Sequence, residues 1–564
     1  MDSNFDDPFS YENLEEIVKA CSQFYHSLIE RSKNTREAYE KRVELSRWIR
    51  KFHQDCGTLT PHVEDAIEKL KSDSCLFLMT AHQPNLFAYS GVLRKATLNY
   101  VLAEKLSESL KLPVVSFFGI ADQDFTDDRW VKSALLPDVE RRDGVLELRI
   151  DLPKKQMLNK VAKPSRQILN SWRNEIKGWF NRELISVERS FKSLGVELSR
   201  QNMCLSENFE DFWRIVEECY EKAETYSDFN AFVMSKIVNV AWGYDTLFSR
   251  FSECQQIFER EFCFLLSHFE EYSKYVREAT LSPESSRGGV YREEFDTVPF
   301  WYHCDCGGKV RLIAEQQGES LFSRGECSRC RKKYKFDFSS KRDPKISEIL
   351  PRISARSLSM PLVFFDGLRV CCYVGGVGGK MYLRQAKYVA EHMGTSFPPV
   401  VVWRPRDIYF GVGQLEALMT FRKLSGTFDV SQCPELEDRL KEKIAGVQKK
   451  IDELELRKKE LVEHAEVEKE EIIERMKAIS ARQNKIRRDI GFSVLSRNLK
   501  LLQNVKAVTR LYTCIVDYAV NIGLGSTSEQ WIAFLKKNGS LSSSVSLKTD
   551  FDRFVQCIRP KFSR

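Results

Sequence analysis

Two short polar clusters, each standing where an apolar run stops, hold the residue types that acid–base and acyl-transfer chemistry need. Cys75-Leu76-Phe77-Leu78-Met79 gives way to Thr80-Ala81-His82-Gln83-Pro84-Asn85, and Pro113-Val114-Val115-Ser116-Phe117-Phe118 to Gly119-Ile120-Ala121-Asp122-Gln123-Asp124. Asp122 and Asp124 suit an ammonium, hydroxyls or the role of base, while His82, Gln83 and Asn85 suit hydrogen bonds to a polar substrate. A third cluster, Gly375-Gly376-Val377-Gly378-Gly379-Lys380, opens a helical pattern. Its amides, the helix's positive end and the Lys380 ammonium suit an anion. It matches neither the dinucleotide fingerprint nor a Walker loop, because its third glycine is misplaced and no Ser or Thr follows Lys380. Plainer roles compete: Asp124 as a helix cap, His82 as partner of a core backbone group, Lys380 as a solvated charge.

The elements around these clusters place them. Ser90-Gly91 opens a helical pattern over residues 92–106, between the first two apolar runs. Strand, helix, strand with both strands apolar reads as a βαβ unit buried in a parallel sheet, whose strand carboxyl ends are where such sheets bind ligands. Residues 368–374, the glycine cluster, a helical stretch 381–393 and the strand-like 399–403 repeat the unit. The expected fold class is α/β, a split Rossmann-like parallel sheet. Residues 155–278 are rich in helical patterns, among them Ile168-Trp172-Ile176-Trp179 and Phe209-Phe212-Trp213-Val216, whose spacing reads as core.

Four of the sixteen cysteines fall in Cys304-Asp305-Cys306-Gly307-Gly308 and Cys327-Ser328-Arg329-Cys330. Two knuckles about twenty residues apart, each followed by a strand-like stretch, predict a zinc ribbon in which four thiolates hold a structural Zn²⁺ and leave no open position for catalysis. The first knuckle is one residue short, and His303 stands beside it as an alternative to Cys304. The remaining cysteines read as reduced core thiols.

Residues 434–490 turn to Lys, Glu, Arg and Leu, with apolar residues at Leu440, Ile444, Val447, Ile451, Leu454, Leu461, Ala465, Ile472, Ile479, Ile486 and Ile490. This is a heptad pattern, and one unbroken helix would run about 85 Å at ~1.5 Å per residue. Its partner is a helix over residues 499–522, a second subunit, or both; a homodimer through the coiled coil is the expectation. The balance of 87 basic against 80 acidic residues does not point to nucleic acid, and the basic cluster of Arg475, Lys477, Arg482, Lys485, Arg487 and Arg488 reads first as a solvated helix face. The acidic start and the lack of any long apolar run predict a cytoplasmic protein without a membrane span.

Together the clusters carry a family resemblance. Thr80-Ala81-His82-Gln83-Pro84-Asn85-Leu86-Phe87 with Ser90-Gly91 and Lys95 resembles the T-G-Q-Q-x-x-L-x-x-G-P-L-x-x-x-K signature of the BshC family, the cysteine ligases of bacillithiol synthesis. Ala121-Asp122-Gln123-Asp124-Phe125 resembles its E-D-H-D-F segment, Gly375-Gly376-Val377-Gly378 with Tyr382 and Gln385 its G-G-P-G-E-x-x-Y-x-x-Q, and Pro405-Arg406 its later P-R. The matches keep the family's order from about Leu45 onward. Gly379, Ala121, Gln123 and His82 depart from the family's Glu, Glu, His and Gln, which leaves room for a divergent substrate.

The resemblance implies a carbon–nitrogen ligase that adds cysteine or another amino acid to the amine of a glucosamine-malate-like acceptor, with ATP as a candidate co-substrate. Asp122, Asp124 and His82 would be catalytic. Gln83, Asn85, Gly91, Lys95, Gly375, Gly376, Gly378, Gly379, Lys380, Gln385 and Arg406 would bind substrate or nucleotide, and Cys304, Cys306, Cys327 and Cys330 would bind metal. The expected domains are 1–154, N-terminal helices and first Rossmann half; 155–285, helical connection; 286–345, zinc ribbon; 346–430, second Rossmann half; and 431–564, coiled coil and C-terminal helices. A class I aminoacyl-tRNA-synthetase-like or RNA-binding protein is the alternative, though no HIGH-like or KMSKS-like motif is present, and a non-catalytic scaffold is a third.

Overall fold

The structure, a computed structural model, describes residues 9, 11–31, 35–138, 141, 144–198, 203–281, 295–403, 407–425, 433–463, 469–487, 513–537 and 539–558. Helices α1 (Leu14–Arg31), α2 (Thr35–Cys56) and α3 (Pro61–Leu70) precede strand β1 (Leu76–His82), helix α4 (Ser90–Leu110) and strand β2 (Val114–Ile120). Strands β3 (Ser133–Pro137) and β4 (Val145–Arg149) form a small antiparallel pair. Helices α5 (Arg166–Lys192) and α6 (Leu205–Lys222) lead to β5 (Leu247–Arg250). Next come β6 (Thr297–His303), β7 (Lys309–Gln317), β8 (Ser320–Cys327), β9 (Lys333–Asp337) and β10 (Ile353–Ala355). Strand β11 (Val370–Val374), helix α7 (Lys380–Met393) and strand β12 (Val400–Val401) close the core, and α8 (Cys433–Glu463) and α9 (Lys469–Arg487) follow.

The main sheet is parallel throughout, in the order β12-β11-β1-β2-β5. Alternation along the strands splits their side chains between two cores. Leu76, Leu78, Phe118, Cys372 and Val374 pack with α1 and α4, while Phe77, Met79, Val115, Phe117 and Tyr373 pack with α3, α7 and the helix Ser359–Leu368. Both faces are therefore covered, which is why these strands are apolar runs rather than alternating ones. The strand order reverses between β1 and β11, the point at which a doubly wound sheet opens a crevice for ligands.

Two expectations need correction. The helical connection expected over 155–285 does hold α5 and α6, with Trp172, Trp179, Phe209 and Trp213 buried, but it also supplies the edge strand β5. A strand of four residues pairing on one side only leaves too short an apolar run to stand out among helical patterns. The unbroken helix expected over 434–490 is instead two helices that fold back on each other. Gln483 of α9 donates to the Ile451 carbonyl at 3.2 Å and to Glu455 at 2.8 Å on α8. The buried Ile451 and Leu454 of the heptad seam thus meet a partner in the same chain. Of the helix expected over 499–522, residues 499–512 lie outside the described residues. Ile515–Asn521 is a short helix buried in the main body, with Tyr518 bonded to Asp407 at 3.0 Å.

A second sheet of five antiparallel strands, in the order β10-β6-β7-β8-β9, carries the four cysteines and packs on the second core through Phe300, Val310, Leu312 and Leu321. Among the described residues, no helix is long and apolar enough to cross a membrane.

Candidate active site

A cavity of about 550 Å³ opens at the carboxyl ends of β1, β2 and β11. His82, Gln83, Gly91, Lys95, Asp124 and the glycines 375, 376, 378 and 379 line it, so clusters nearly three hundred residues apart meet in one place. The meeting is a consequence of register: β1 lies between β2 and β11, with His82 opposite Ile120 and Thr80 opposite Val374, so β1 and β2 end together and β11 ends within two residues of them.

His82 is half-buried at the end of β1. Its Nδ1–H donates to the Gln83 carbonyl at 3.0 Å, leaving Nε2 to accept from the Tyr89 hydroxyl at 3.4 Å. Burial and then the nearby Lys95 push the imidazolium down to about 3, so the ring is neutral near pH 7. Lys95, from the second turn of α4, donates to the Ala81 carbonyl at 2.8 Å. Burial alone pushes its ammonium down to about 7, close to the point where an amine is both available as a base and easily charged by an incoming anion. Gln83 donates to Asp124 at 2.9 Å, which turns that carboxylate toward the cavity.

Several expected site residues lie elsewhere. Asp122 is fully buried behind the cavity wall, where it accepts from the Ser252 amide at 2.9 Å, the Ser252 hydroxyl and Asn159 at 3.1 Å. Burial raises its carboxyl to about 6 despite these bonds. It braces the loop after β2 rather than facing substrate. Asn85 and Gln385 are buried outside the lining, and Lys380 begins α7 without lining the cavity. In the glycine loop, the Gly375 amide is taken by Val401 at 2.9 Å and the Gly379 amide by Gly376 at 3.0 Å, so only Gly376, Val377 and Gly378 remain to offer amides. Arg406, with Pro405, lies outside the described residues.

Sequence reasoning missed an entire wall. Trp301, Lys309, Arg356 and Ser357 line the cavity from the second sheet and its end, and Tyr89, Trp130, Tyr382 and Trp403 complete it. Lys309 Nζ is 3.7 Å from Asp124. Burial lowers its ammonium below the usual lysine range, with Asp124 pulling the other way. The one signal was proximity in sequence, since Lys309 directly follows the Cys304 knuckle, but nothing local says that the strand faces the other sheet.

The four cysteine sulfurs all lie within 4.8 Å of one another, with Cys304–Cys330 and Cys306–Cys327 each at 3.5 Å. A tetrahedral ion with ~2.3 Å metal–sulfur bonds sets sulfurs about 3.8 Å apart, so the set fits a metal ion. Tyr334 Oη donates to Cys304 at 3.0 Å and the Arg329 amide to Cys327 at 3.4 Å, as ligand thiolates require of their surroundings. His303 bonds Ser354 at 2.8 Å instead, leaving Cys304 as the fourth member. Gly308 must lack a side chain: a Cβ there would come within 2.8 Å of the Cys327 sulfur.

Fold and site together define a doubly wound, Rossmann-like domain with its ligand cavity at the switch point. Residues 10–137 match the family model described as "Bacillithiol biosynthesis BshC, N-terminal Rossmann-like domain". Over that N-terminal segment the chain is similar to the BshC family. None of the curated proteins matches it. Among solved structures, it is similar to a putative arginyl-tRNA synthetase from Campylobacter jejuni at 10% identity and a TM-score of 0.21, covering 82% of this chain and 94% of that one. So low a score carries no argument about fold or function.

Proposed function

We propose that the chain is a carbon–nitrogen ligase of low-molecular-weight thiol synthesis, joining an amino acid, cysteine by resemblance, to the amine of a glucosamine-malate-like acceptor. The observation that carries this reading is the convergence of His82, Lys95 and Asp124, all within the segment similar to the BshC Rossmann-like domain, with the glycine loop on one cavity. Amide formation needs an activated carboxyl, a held amine and a group that takes its proton. Asp124, aimed by Gln83, sits where an ammonium would bind. Lys95, poised near pH 7, supplies a proton acceptor, and neutral His82 a hydrogen-bonding group, within the same walls. The amides of Gly376 to Gly378 and the start of α7 suit the anionic end of an activated acyl group. ATP fits that role as co-substrate.

Within the same reading, the four cysteines hold a structural Zn²⁺. Four protein ligands leave no position for water, so the ion would shape the second sheet rather than react. The test of the function is a comparison of thiol metabolites in cells with and without the gene. Loss of one amino-acid-containing thiol, with its amine precursor accumulating, supports the ligase; unchanged thiols and amines refute it.

A further inference from the structure

We propose that the four-cysteine sheet forms a substrate-recognition wall, in which Lys309, beside Arg356 stacked on Trp301, binds an anionic carboxylate or phosphate group of the molecule entering the cavity. This rests on reading the cavity as the active site, and it names the part of the substrate that the second sheet selects.

The geometry is built from strand register. His303 and Lys309 are directly opposed across β6 and β7, and Trp301 opposes Arg311, so Trp301 and Lys309 stand on one face of the sheet as diagonal neighbours. Ser354 of β10 opposes Trp301, which carries Arg356 across that face: its guanidinium lies 3.9 Å from the Trp301 ring centre. The Lys309 ammonium lies 6.0 Å from the same ring and 5.1 Å from Phe125. Two buried cations sharing an aromatic platform form a coherent positive wall. Across the cavity, a Cβ on Gly376 would lie 3.9 Å from Lys95 Nζ, so Lys95 and the glycine loop form the opposite wall.

Among the described residues, the acidic side chains lining the cavity are Asp124 and Asp128, against Lys95, Lys309 and Arg356. Asp128 is occupied in capping the short helix at Trp130, accepting its amide at 2.9 Å. Asp124 shares Lys309 at 3.7 Å, so the excess positive charge that favours a negatively charged ligand comes from Arg356 and from Lys95 in its protonated form, and low exposure makes each such contact count more than it would in water. The wall is also held still. The Met157 amide donates to Gly307 at 2.8 Å, the Leu158 amide to Asp124 at 3.0 Å and the Asn159 amide to Asp122 at 2.9 Å. Residues 157–159 thus form a strut tying the first cysteine knuckle to the loop that carries Asp124. Cations fixed in advance bind without the cost of ordering them.

The test is isothermal titration of the full-length protein with succinate and, separately, inorganic phosphate. The wild type is expected to bind at least one. Binding of succinate alone would mark a carboxylate site, and of phosphate alone a phosphoryl site. Lys309→Gln and Arg356→Gln should each weaken that binding at least tenfold, while Lys309→Arg should restore most of it. Should Lys309→Gln fail to fold, Arg356→Gln carries the same test. Wild-type affinity in both glutamine variants, or no uptake of either probe by the wild type, would overturn the proposal. The ligase reading fails separately, on unchanged cellular thiols, whatever the titrations give.

Discussion

Lys309 and Asp124 stand 3.7 Å apart, and that pair joins the two sheets of the molecule across its main cavity. One partner comes from the loop after the second strand of the parallel sheet, the other from the first residue of a strand that follows a cysteine knuckle. The cavity is thus a property of two sheets together.

The two aspartates of the loop have separate work, which substitution should expose. Asp122→Asn puts an amide where three donors converge and leaves buried groups unpaired, so unfolding free energy should fall by roughly 1–3 kcal/mol. Turnover per folded molecule in the proposed ligation should stay within about tenfold. Asp124→Asn should cut turnover by about 10²- to 10⁴-fold, the range for a lost acid–base group. Denaturant melts beside initial rates separate the two. Equal losses of turnover would assign both residues to the chemistry.

Lys95 makes stability depend on pH in a stated direction. Its value is about 7 when folded against 10.5 for an ordinary lysine, so between these values the unfolded chain binds more protons and stability rises with pH. The burial penalty is fully present below pH 7 and gone above about 10.5. Lys95→Met should therefore stabilise the fold most at pH 7, with the gain over wild type shrinking by pH 9. Turnover should be lost at both. Denaturant titrations at pH 7, 8 and 9 read the trend, and a gain independent of pH would contradict it.

Gly378 separates space for a ligand from space for the fold. A Cβ there would meet nothing within 4 Å, so Gly378→Ala should change stability by no more than about 0.5 kcal/mol. The same methyl group projects where a ligand approaches the loop amides, and KM should rise. A variant with unaltered KM would remove the glycine loop from the binding site.

Cys327 is fully buried among the four sulfurs. Cys327→Ser should release one equivalent of zinc by elemental analysis and loosen the β6–β9 sheet, seen as faster amide exchange there, while the parallel sheet keeps its protection. Wild-type protein purified without chelator and carrying no metal would refute the zinc assignment.

The parallel core and its two polar clusters were legible because their causes are local. Strands buried on both faces must be apolar runs, and polar residues that interrupt such runs mark strand ends whichever fold encloses them. The same holds for the two cysteine knuckles, whose spacing marks them as ligand pairs, although the antiparallel pairing of β7 with β8 is what brings the four thiols together. Sequence did not separate Asp122 from Asp124. Two residues apart in one loop, they look alike until Ser252 and Asn159, far away in the chain, claim the first and leave the second to Gln83 and Lys309.

Heptad periodicity behaves the same way at larger scale. It states that α8 must bury a stripe but is silent on what covers it, since a seam satisfied by Gln483 and its neighbours on α9 has the same spacing as one satisfied by another subunit. What the sequence by itself determined was that β1, β2, β11 and β12 are buried strands, which of their ends are polar and which cysteines belong together, because periodicity and burial act over a few residues. What only the tertiary structure decided was the company each group keeps: the order β12-β11-β1-β2-β5 that sets His82 beside the glycine loop, and the packing that turns Lys309 of the second sheet toward Asp124. Those choices depend on how distant surfaces fit and which buried charges find partners, and both are settled by the whole chain at once.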